Sequence, residues 1–184
     1  DYDDLIYFTI YILNHFPEAR KYWTDKLNYI MIDEAQDCSI DDWNLIEILA
    51  ERHRNLFVVG DPDQAIYEWR GARPAKFVNF SCDTDIILNQ NYRSTPDILD
   101  VANSIIAHNR NRVPKDLFSV RLNERRTVYR HEKNESDEAR HIADTIENAV
   151  AAGDRPADFA ILYRSSFMSR RVEQELLKRK IPYA

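Results

Sequence analysis

The spacing of apolar and polar residues in the first third of the chain predicts a helix, a strand, a second helix and a second strand. Leu5–Asn14 is mostly apolar and is predicted to be a buried helix, and Tyr29–Ile32 is a continuous apolar run typical of a strand buried on both faces. Ser39 is a candidate N-cap for a helix over Asp41–His53, which has acidic residues in its first turn. Asn55–Gly60 is predicted to be a second buried strand, ended by a Gly-Asp-Pro-Asp turn.

The same alternation continues along the rest of the chain. Further strands are predicted at Thr84–Tyr92, Thr127–His131 and Asp158–Ser165, and further helices at Pro96–Ile106 (capped by Thr95), Asp137–Ala152 and Met168–Lys180. Strands that alternate with helices favour an α/β fold with parallel sheets flanked by helices. The weakest join lies between Asn79 and Asp85, where we place a boundary between domains at residues 1–83 and 84–184.

Composition and charge narrow the function only slightly. The 184 residues suffice for one domain or two small ones, and a net charge of −6 gives no overall positive field for nucleic acid. Any DNA contact is therefore expected to be local, and the irregular basic stretch Arg110–Arg126 is interpreted as a solvated loop. Cys38 and Cys82 lie far apart without metal-ligand spacing, which favours reduced thiols and a cytoplasmic location. No apolar run reaches the roughly 20 residues that span a membrane.

Paired carboxylates follow the first predicted strand, in the sequence IDEAQD (Ile32–Asp37). At the end of a buried strand, one acid can hold a metal ion while the next accepts a proton from an attacking water. Asp33 and Glu34 are therefore candidates for these two tasks in a nucleotide hydrolase. Two solvated acids in front of a helix are the alternative interpretation.

A second polar turn follows the second predicted strand, in VVGDPDQAIYEWRGA (Val58–Ala72). Because strand ends meet at one edge of a parallel sheet, Gln64 is expected to reach a γ-phosphate or the attacking water. Tyr67 and Trp69 share a face if the segment is extended, and Arg70 follows them, a combination that suits the unstacked bases of a single strand. Core packing with an ion pair is the alternative.

A third candidate is the tyrosine–arginine pair in LNQNYRST (Leu88–Thr95). Tyr92 offers a ring on which an adenine can stack. Arg93 offers a planar fork that matches phosphate oxygens better than lysine does. On spacing alone, a purely structural pair before a helix cap is equally compatible.

Together, IDEAQD, VVGDPDQAIYEWRGA, LNQNYRST and FAILYRSSFMSRRVEQELLKRKIPY (Phe159–Tyr183) resemble the motifs of superfamily I DNA helicases of the UvrD/Rep type, in order and approximate spacing. The resemblance covers the chain from the first residue to the last. It implies the end of RecA-like domain 1A and the first part of RecA-like domain 2A. The parent would be an ATP-dependent helicase that moves three-prime to five-prime on single-stranded DNA in replication or repair.

The resemblance also implies a role for each matching residue. At the nucleotide these are a magnesium ligand (Asp33), a general base (Glu34), a γ-phosphate sensor (Gln64), an adenine-stacking ring (Tyr92) and an arginine finger (Arg93). On single-stranded DNA they are Tyr67, Trp69, Arg70 and Arg164. Relatives often carry asparagine where this chain has Ser166, which weakens the expected DNA contact at that position.

The family's phosphate loop, G-x-x-x-x-G-K-[ST], is absent, because none of the three glycines begins such a motif. We therefore expect an internal fragment that is inactive alone and works with the rest of the helicase chain, including the loop, an inserted subdomain and later motifs. Three alternatives are a non-catalytic module that binds single-stranded DNA or a protein, part of a helicase–nuclease, and a metal-dependent nuclease. The last would use the carboxylates of Asp33, Glu34, Asp61 and Asp63.

Overall fold

The computed structural model describes residues 2–109, 112–122 and 126–183, and it divides into two compact units at residues 1–127 and 128–184. The helices are α1 (Tyr2–His15), α2 (Pro17–Lys26), α3 (Ile40–Ala50), α4 (Pro74–Val78), α5 (Pro96–Ile106), α6 (Glu135–Ala151) and α7 (Ser169–Lys178). The strands are β1 (Ile30–Ile32) and β2 (Leu56–Val58). The compact units are defined by spatial contacts, and the domain boundary after residue 83 is defined by sequence, so that boundary stays a prediction.

The two strands pair in parallel and form the centre of the first unit. Ile30 is opposite Leu56, and Ile32 is opposite Val58. The inner face of this sheet packs on a core built around Trp43, which is 2% exposed. The other residues of that cluster are Ile32, Ala35, Ile30, Cys38, Ile46, Leu56, Val58, Phe77 and Phe80. A parallel sheet flanked by helices confirms the α/β class.

The expectation that both strands are buried on both faces was wrong. Met31 is 80% exposed and Phe57 is 62% exposed, so the outer face of the sheet is open. The expectation of a buried first helix was wrong for most of its surface, since Leu5 is 64% exposed while Leu13 is 2% exposed. Helix α1 packs against α2 and α3, and these two neighbours cover only one side of it.

The three strands predicted at residues 84–92, 127–131 and 158–165 are not formed in the described part of the chain. Most of their apolar residues are exposed instead, with Ile86 at 71% and Leu162 at 94%, while Phe159 and Ile161 pack against the core of the second unit. A single bridge between Gln90 and Phe118 is the nearest approach to strand pairing there. The physical reason is that an extended apolar segment becomes a strand only when a neighbouring strand accepts and donates its backbone hydrogen bonds.

Helix limits follow the sequence signals more closely. Ser39 caps α3, because its hydroxyl accepts a hydrogen bond from the Asp42 amide at 3.2 Å. The Asp42 carboxylate in turn accepts a hydrogen bond from the Ser39 amide at 2.8 Å, which completes a capping box. Thr95 is the cap residue of α5, but its hydroxyl donates to the Asp97 carboxylate at 2.7 Å and accepts no capping hydrogen bond from the helix backbone. No helix within the described ranges is long and apolar enough to cross a membrane.

The second unit is held together by the packing of α6 against α7. Ala143, Ile146 and Leu176 form its buried core. At the end of α7, Arg179 pairs with carboxylates of both helices; these partners are Asp144, Glu147 and Glu175.

Candidate nucleotide and DNA site

The candidate site begins where both strands end, at one edge of the parallel sheet. The Val59 amide donates to the Ile32 carbonyl at 2.8 Å, and the Ala35 amide donates to the Val59 carbonyl at 3.0 Å. These two bonds carry the pairing beyond the last strand residues. They therefore bring the Asp33–Glu34 pair beside the turn that begins at Gly60.

The two paired carboxylates are exposed and have different backbone conformations. The Asp33 Oδ1 atom accepts the Glu34 amide at 2.9 Å, while its second oxygen has no hydrogen-bond partner among the residues described. Glu34 has φ 51° and ψ 41°, in the left-handed region that costs a non-glycine residue of the order of 1 kcal/mol or more. This conformation lies at the junction between β1 and the 3₁₀ turn Ala35–Asp37.

Gln36, which was not among the residues predicted from the sequence, binds the Glu34 carboxylate. It is 1% exposed, and its Nε2 donates to the Glu34 carboxylate at 2.7 Å. Its Oε1 accepts the Asp61 amide at 2.9 Å, so one buried amide joins the ends of both strands. The signal in the sequence was an amide between two acids directly after a strand, but a sequence does not give the direction of a side chain.

Gly60 is required at this edge because its backbone lies too close to Gln36 and Ala35 to leave room for a side chain. A Cβ atom at Gly60 would lie 2.7 Å from the Gln36 Oε1 atom and 3.1 Å from the Ala35 amide nitrogen. A separation of 2.7 Å is shorter than real Cβ atoms show, so any larger residue at position 60 would displace Gln36. The glycine thus keeps open the space through which Gln36 reaches the Asp61 amide.

The turn after Gly60 is organised around the Asp61 carboxylate. Gln64 donates from Nε2 to Asp61 Oδ2 at 2.9 Å, and the Asp63 amide donates to Asp61 Oδ1 at 3.1 Å. Lys115 also donates to Asp61 Oδ1. Burial by itself raises the pKa of Asp61, but the hydrogen bonds from Lys115 and Gln64 outweigh it and hold the pKa below its ordinary value.

The basic stretch at residues 110–126 was expected to be a solvated loop, and for two of its residues this was wrong. The side chains of Lys115 and Arg112 are 11% and 17% exposed. Both reach the Asp63 carboxylate, Arg112 at 3.3 Å and Lys115 at 3.7 Å. The carboxylates of Asp61 and Asp63 pair with these two cations and partly bury them. The number of charges along the sequence does not reveal such a pairing. Residues 110, 111 and 123–125 of this stretch lie outside the described residues.

The carboxylates at the sheet edge suit a magnesium nucleotide better than a nuclease centre. Asp61 and Asp63 are engaged by cations, and no group of three or more histidine, cysteine or acidic residues that could hold a metal occurs in the described part of the chain. Asp33 retains one uncommitted oxygen. Mg²⁺ is commonly held by one or two carboxylates together with phosphates and water, so Asp33 fits this requirement.

The aromatic residues after Gln64 form a small exposed platform. Glu68–Arg70 is a 3₁₀ turn, so the extended segment on which the shared face depended is not formed. The Tyr67 and Trp69 rings are nevertheless neighbours, with centroids 6.5 Å apart. The Arg70 guanidinium lies 5.8 Å from the Tyr67 centroid and 5.4 Å from the Trp69 centroid, within cation–π range. Trp69 is 75% exposed, which leaves its ring accessible to a base.

The tyrosine–arginine pair lies in a tight turn before α5. The Asn91 side-chain oxygen accepts the Arg93 amide at 2.9 Å and the Ser94 amide at 2.7 Å. Arg121 donates to the Arg93 carbonyl at 2.7 Å, so the backbone on both sides of Arg93 is fixed. The Arg93 guanidinium itself has no hydrogen bond or ion pair with other described residues and is exposed, and Tyr92 is 75% exposed.

Arg164 is an exposed residue of the second unit. It follows Tyr163 in the segment that was predicted to be a strand. The other candidate site residues belong to the first unit. The role of Arg164 stays a prediction, as do the roles of the other candidate site residues.

Acidic and amide side chains at the end of the sheet thus lie in the same unit as an exposed aromatic platform, and comparison with known proteins gives the family of the chain. The UvrD/REP helicase N-terminal domain matches residues 1–85, and the UvrD-like helicase C-terminal domain matches residues 86–184. The chain therefore belongs to the UvrD/Rep-type family of superfamily I helicases.

Individual relatives agree with this assignment. The ATP-dependent DNA helicase PcrA of Staphylococcus epidermidis is 40% identical over 187 residues, which is 100% of this chain and 26% of the relative. PcrA of Leuconostoc citreum is 39% identical over 189 residues, which is 100% of this chain and 25% of the relative. PcrA of Staphylococcus aureus is 40% identical over 187 residues, again 100% of this chain and 26% of the relative. The chain thus spans about a quarter of the length of the curated relatives it matches.

Proposed function

We propose that this chain supplies one side of the motor of an ATP-dependent DNA helicase that moves three-prime to five-prime on single-stranded DNA during replication or repair. The observation that carries the proposal is the sheet edge, where Asp33 and Glu34 are joined to the Gln64 turn through the buried Gln36. Membership of the family and the names of the relatives support ATP as the nucleotide. The proposal assigns the protein to the cytoplasm, where DNA and ATP are both present.

Each exposed polar group at the edge has a separate task in the proposed reaction. Asp33 would hold Mg²⁺ through its uncommitted oxygen, and the metal when bound neutralises charge that develops on the phosphates. Glu34, fixed by Gln36, accepts a proton from the attacking water. Gln64, steadied by Asp61, contacts the γ-phosphate or the water, and Arg93 stabilises the charge of the transition state. Tyr92 stacks on the adenine ring.

The aromatic platform provides the proposed contact with DNA. Tyr67 and Trp69 present neighbouring rings, and bases stack on such rings whatever their sequence. Arg70 adds a positive charge beside both rings, which suits a strand with a phosphate backbone. Arg164 is proposed to contact the same strand. A local patch of this kind does not require a positive net charge, which is consistent with the value of −6.

The first test compares the 184-residue chain with the protein expressed from its complete reading frame. We expect the larger protein to hydrolyse ATP in a reaction stimulated by single-stranded DNA, and the 184-residue chain to show no hydrolysis above the buffer control, because its sequence has no phosphate loop. Phosphate release with and without an oligonucleotide measures both. Absence of DNA-stimulated hydrolysis from the larger protein would contradict the proposed function, and hydrolysis by the 184-residue chain would contradict its predicted inactivity.

The DNA contact is tested by Trp69→Ala. Stacking of one base on an aromatic ring contributes about 1–3 kcal/mol, so we expect the dissociation constant for a single-stranded oligonucleotide to rise by roughly 5- to 140-fold. Fluorescence anisotropy at fixed salt measures the change in the protein from the complete reading frame. The matched control is Trp23→Ala in α2, a tryptophan 42% exposed and outside the platform, which should leave DNA affinity unchanged. Equal effects of the two substitutions would remove the platform from the proposal.

A further inference from the structure

Four charged residues form an ion cluster that is much less exposed than surface ion pairs usually are. The cluster consists of Asp61, Asp63, Arg112 and Lys115. Lys115 contacts both carboxylates, and Arg112 lies 3.3 Å from the Asp63 carboxylate. The Asp63 side chain is 5% exposed, and its partners Lys115 and Arg112 are 11% and 17% exposed.

The cluster joins the turn at residues 61–64 to the segment at residues 112–118. Removing a cation from it would leave an uncompensated carboxylate out of contact with water, which is far more costly than breaking an ion pair on the surface. Arg112 also donates to the Lys115 carbonyl at 2.8 Å, so the two cations share one local structure. The turn that carries Gln64 is therefore fixed to the segment at residues 112–118.

That segment is fixed in turn to α5 and to the residues before it. Asn103 of α5 donates to the Leu117 carbonyl at 2.8 Å and accepts the Leu117 amide at 3.2 Å. The Phe118 amide donates to the Asn89 carbonyl at 3.0 Å, and the Asn91 amide donates to the Phe118 carbonyl at 2.7 Å. Asn91 is the residue whose side chain holds the backbone of the Arg93 turn. An unbroken series of contacts thus runs from the ion cluster to Arg93.

The Asp61 carboxylate is the branch point of this series. One of its oxygens accepts from Gln64 at 2.9 Å, and the other accepts from Lys115. Without Lys115, Asp61 would lose the cation that pairs with the oxygen opposite the one bonded to Gln64. Lys115 is therefore the cation through which the Gln64 turn is joined to the segment that contacts the Arg93 turn.

We propose that Lys115, supported by Arg112, is a positioning residue that fixes Gln64 and Arg93 relative to each other for phosphoryl transfer. This inference rests on the proposed function. It gives the basic segment a task that is neither DNA binding nor solvation. It also joins residues that belong to different matched family domains, since Asp61 lies in the first and Lys115 in the second.

The test is Lys115→Met in the protein from the complete reading frame, measured as kcat and KM for ATP with saturating single-stranded DNA. Misplacement of a catalytic group by about 1 Å can cost on the order of 100-fold, so we expect kcat to fall by about 10- to 100-fold, with KM changing by less. Lys115→Arg keeps the charge and should recover most of the rate. The matched control, Lys178→Met, removes an exposed lysine of α7 and should leave kcat unchanged.

A second measurement separates positioning from loss of folded protein. Single-turnover phosphate release is compared for Lys115→Met in the native background and in a background with both Gln64→Ala and Arg93→Ala. Since Lys115 is proposed to act through these two residues, its loss has a much smaller effect once both are absent. An equal loss in both backgrounds, or an unchanged kcat in the native one, would overturn the inference. Should Lys115→Met not fold, Lys115→Gln keeps a polar side chain without the charge and is measured in its place, with the same fall in kcat expected.

The outcomes distinguish the two levels of the proposal. If the native protein has no DNA-stimulated ATP hydrolysis, the proposed function fails and this inference fails with it. If the native protein is active and Lys115→Met is equally active, only the positioning role of Lys115 is overturned.

Discussion

Arg93→Ala is expected to lower kcat for DNA-stimulated ATP hydrolysis by about 10³-fold or more, because an arginine that stabilises phosphoryl transfer contributes on the order of 10³–10⁵ in rate. The structure gives the reason for so large an effect. The backbone of Arg93 is fixed by Asn91 and Arg121, while its guanidinium is exposed and uncommitted within the described part of the chain. A side chain held at its base and free at its tip is available to a phosphate.

The design of this experiment depends on separating charge from shape. Arg93→Lys keeps the positive charge but not the planar fork, so it should recover only part of the rate. Arg140→Ala, which removes an exposed arginine of α6, is the matched control and should leave kcat unchanged. Binding of a fluorescent ATP analogue would show that the Arg93→Ala protein still takes up nucleotide. A kcat within about threefold of the native value would remove Arg93 from the catalytic residues.

Glu34→Gln is expected to have the second largest effect, a loss of about 10²–10⁴-fold in kcat, since general-base catalysis contributes factors of that size. The substitution is nearly isosteric, and the glutamine side-chain oxygen can still accept the hydrogen bond that Gln36 donates at 2.7 Å. The variant should therefore fold normally and still bind ATP and single-stranded DNA. Single-turnover phosphate release measures the chemical step directly.

Two comparisons make the Glu34 result specific. Asp41→Asn, an exposed acid in the first turn of α3, is the matched control and should leave the rate unchanged. Glu34→Asp keeps the base but shortens it, and we expect a smaller loss than with glutamine. Normal turnover by Glu34→Gln would contradict a general-base role and would move that role to another group at the sheet edge.

Local sequence signals predicted α1, α3, α5, α6 and α7, because a helix satisfies its own backbone, but they missed α2 and the short α4. The capping box of Ser39 and Asp42 and the proline at the start of α5 mark helix starts that the structure reproduces. The two strands of the sheet were also placed correctly, because each is a short apolar run. The three remaining predicted strands failed, because strand formation depends on a partner that is distant in the sequence.

The candidate site was predictable only in its outline. The sequence placed polar residues after two strands, and parallel pairing then required them to meet at one edge. It did not reveal that Gln36 bridges Glu34 to the Asp61 amide. It also assigned Lys115 to solvent, because the attraction of Asp61 acts across more than fifty residues of chain. A contact between residues so far apart in the sequence is formed by the fold and cannot be read from the spacing of residues along the chain.

The ion cluster has a practical consequence for anyone who divides this protein into separately expressed pieces. A cut at the limit between the matched family domains, after residue 85, would separate Asp63 from Arg112 and Lys115. The Asp63 carboxylate, which is buried in the intact chain, would then lose both of its cationic partners. A cut after Thr127 keeps the cluster whole, and it also keeps the bond from the Thr127 amide to Asp97 at 2.7 Å. The limits of the matched families and the limits of the compact units therefore differ in this molecule, and the ion cluster favours the latter as places to divide it.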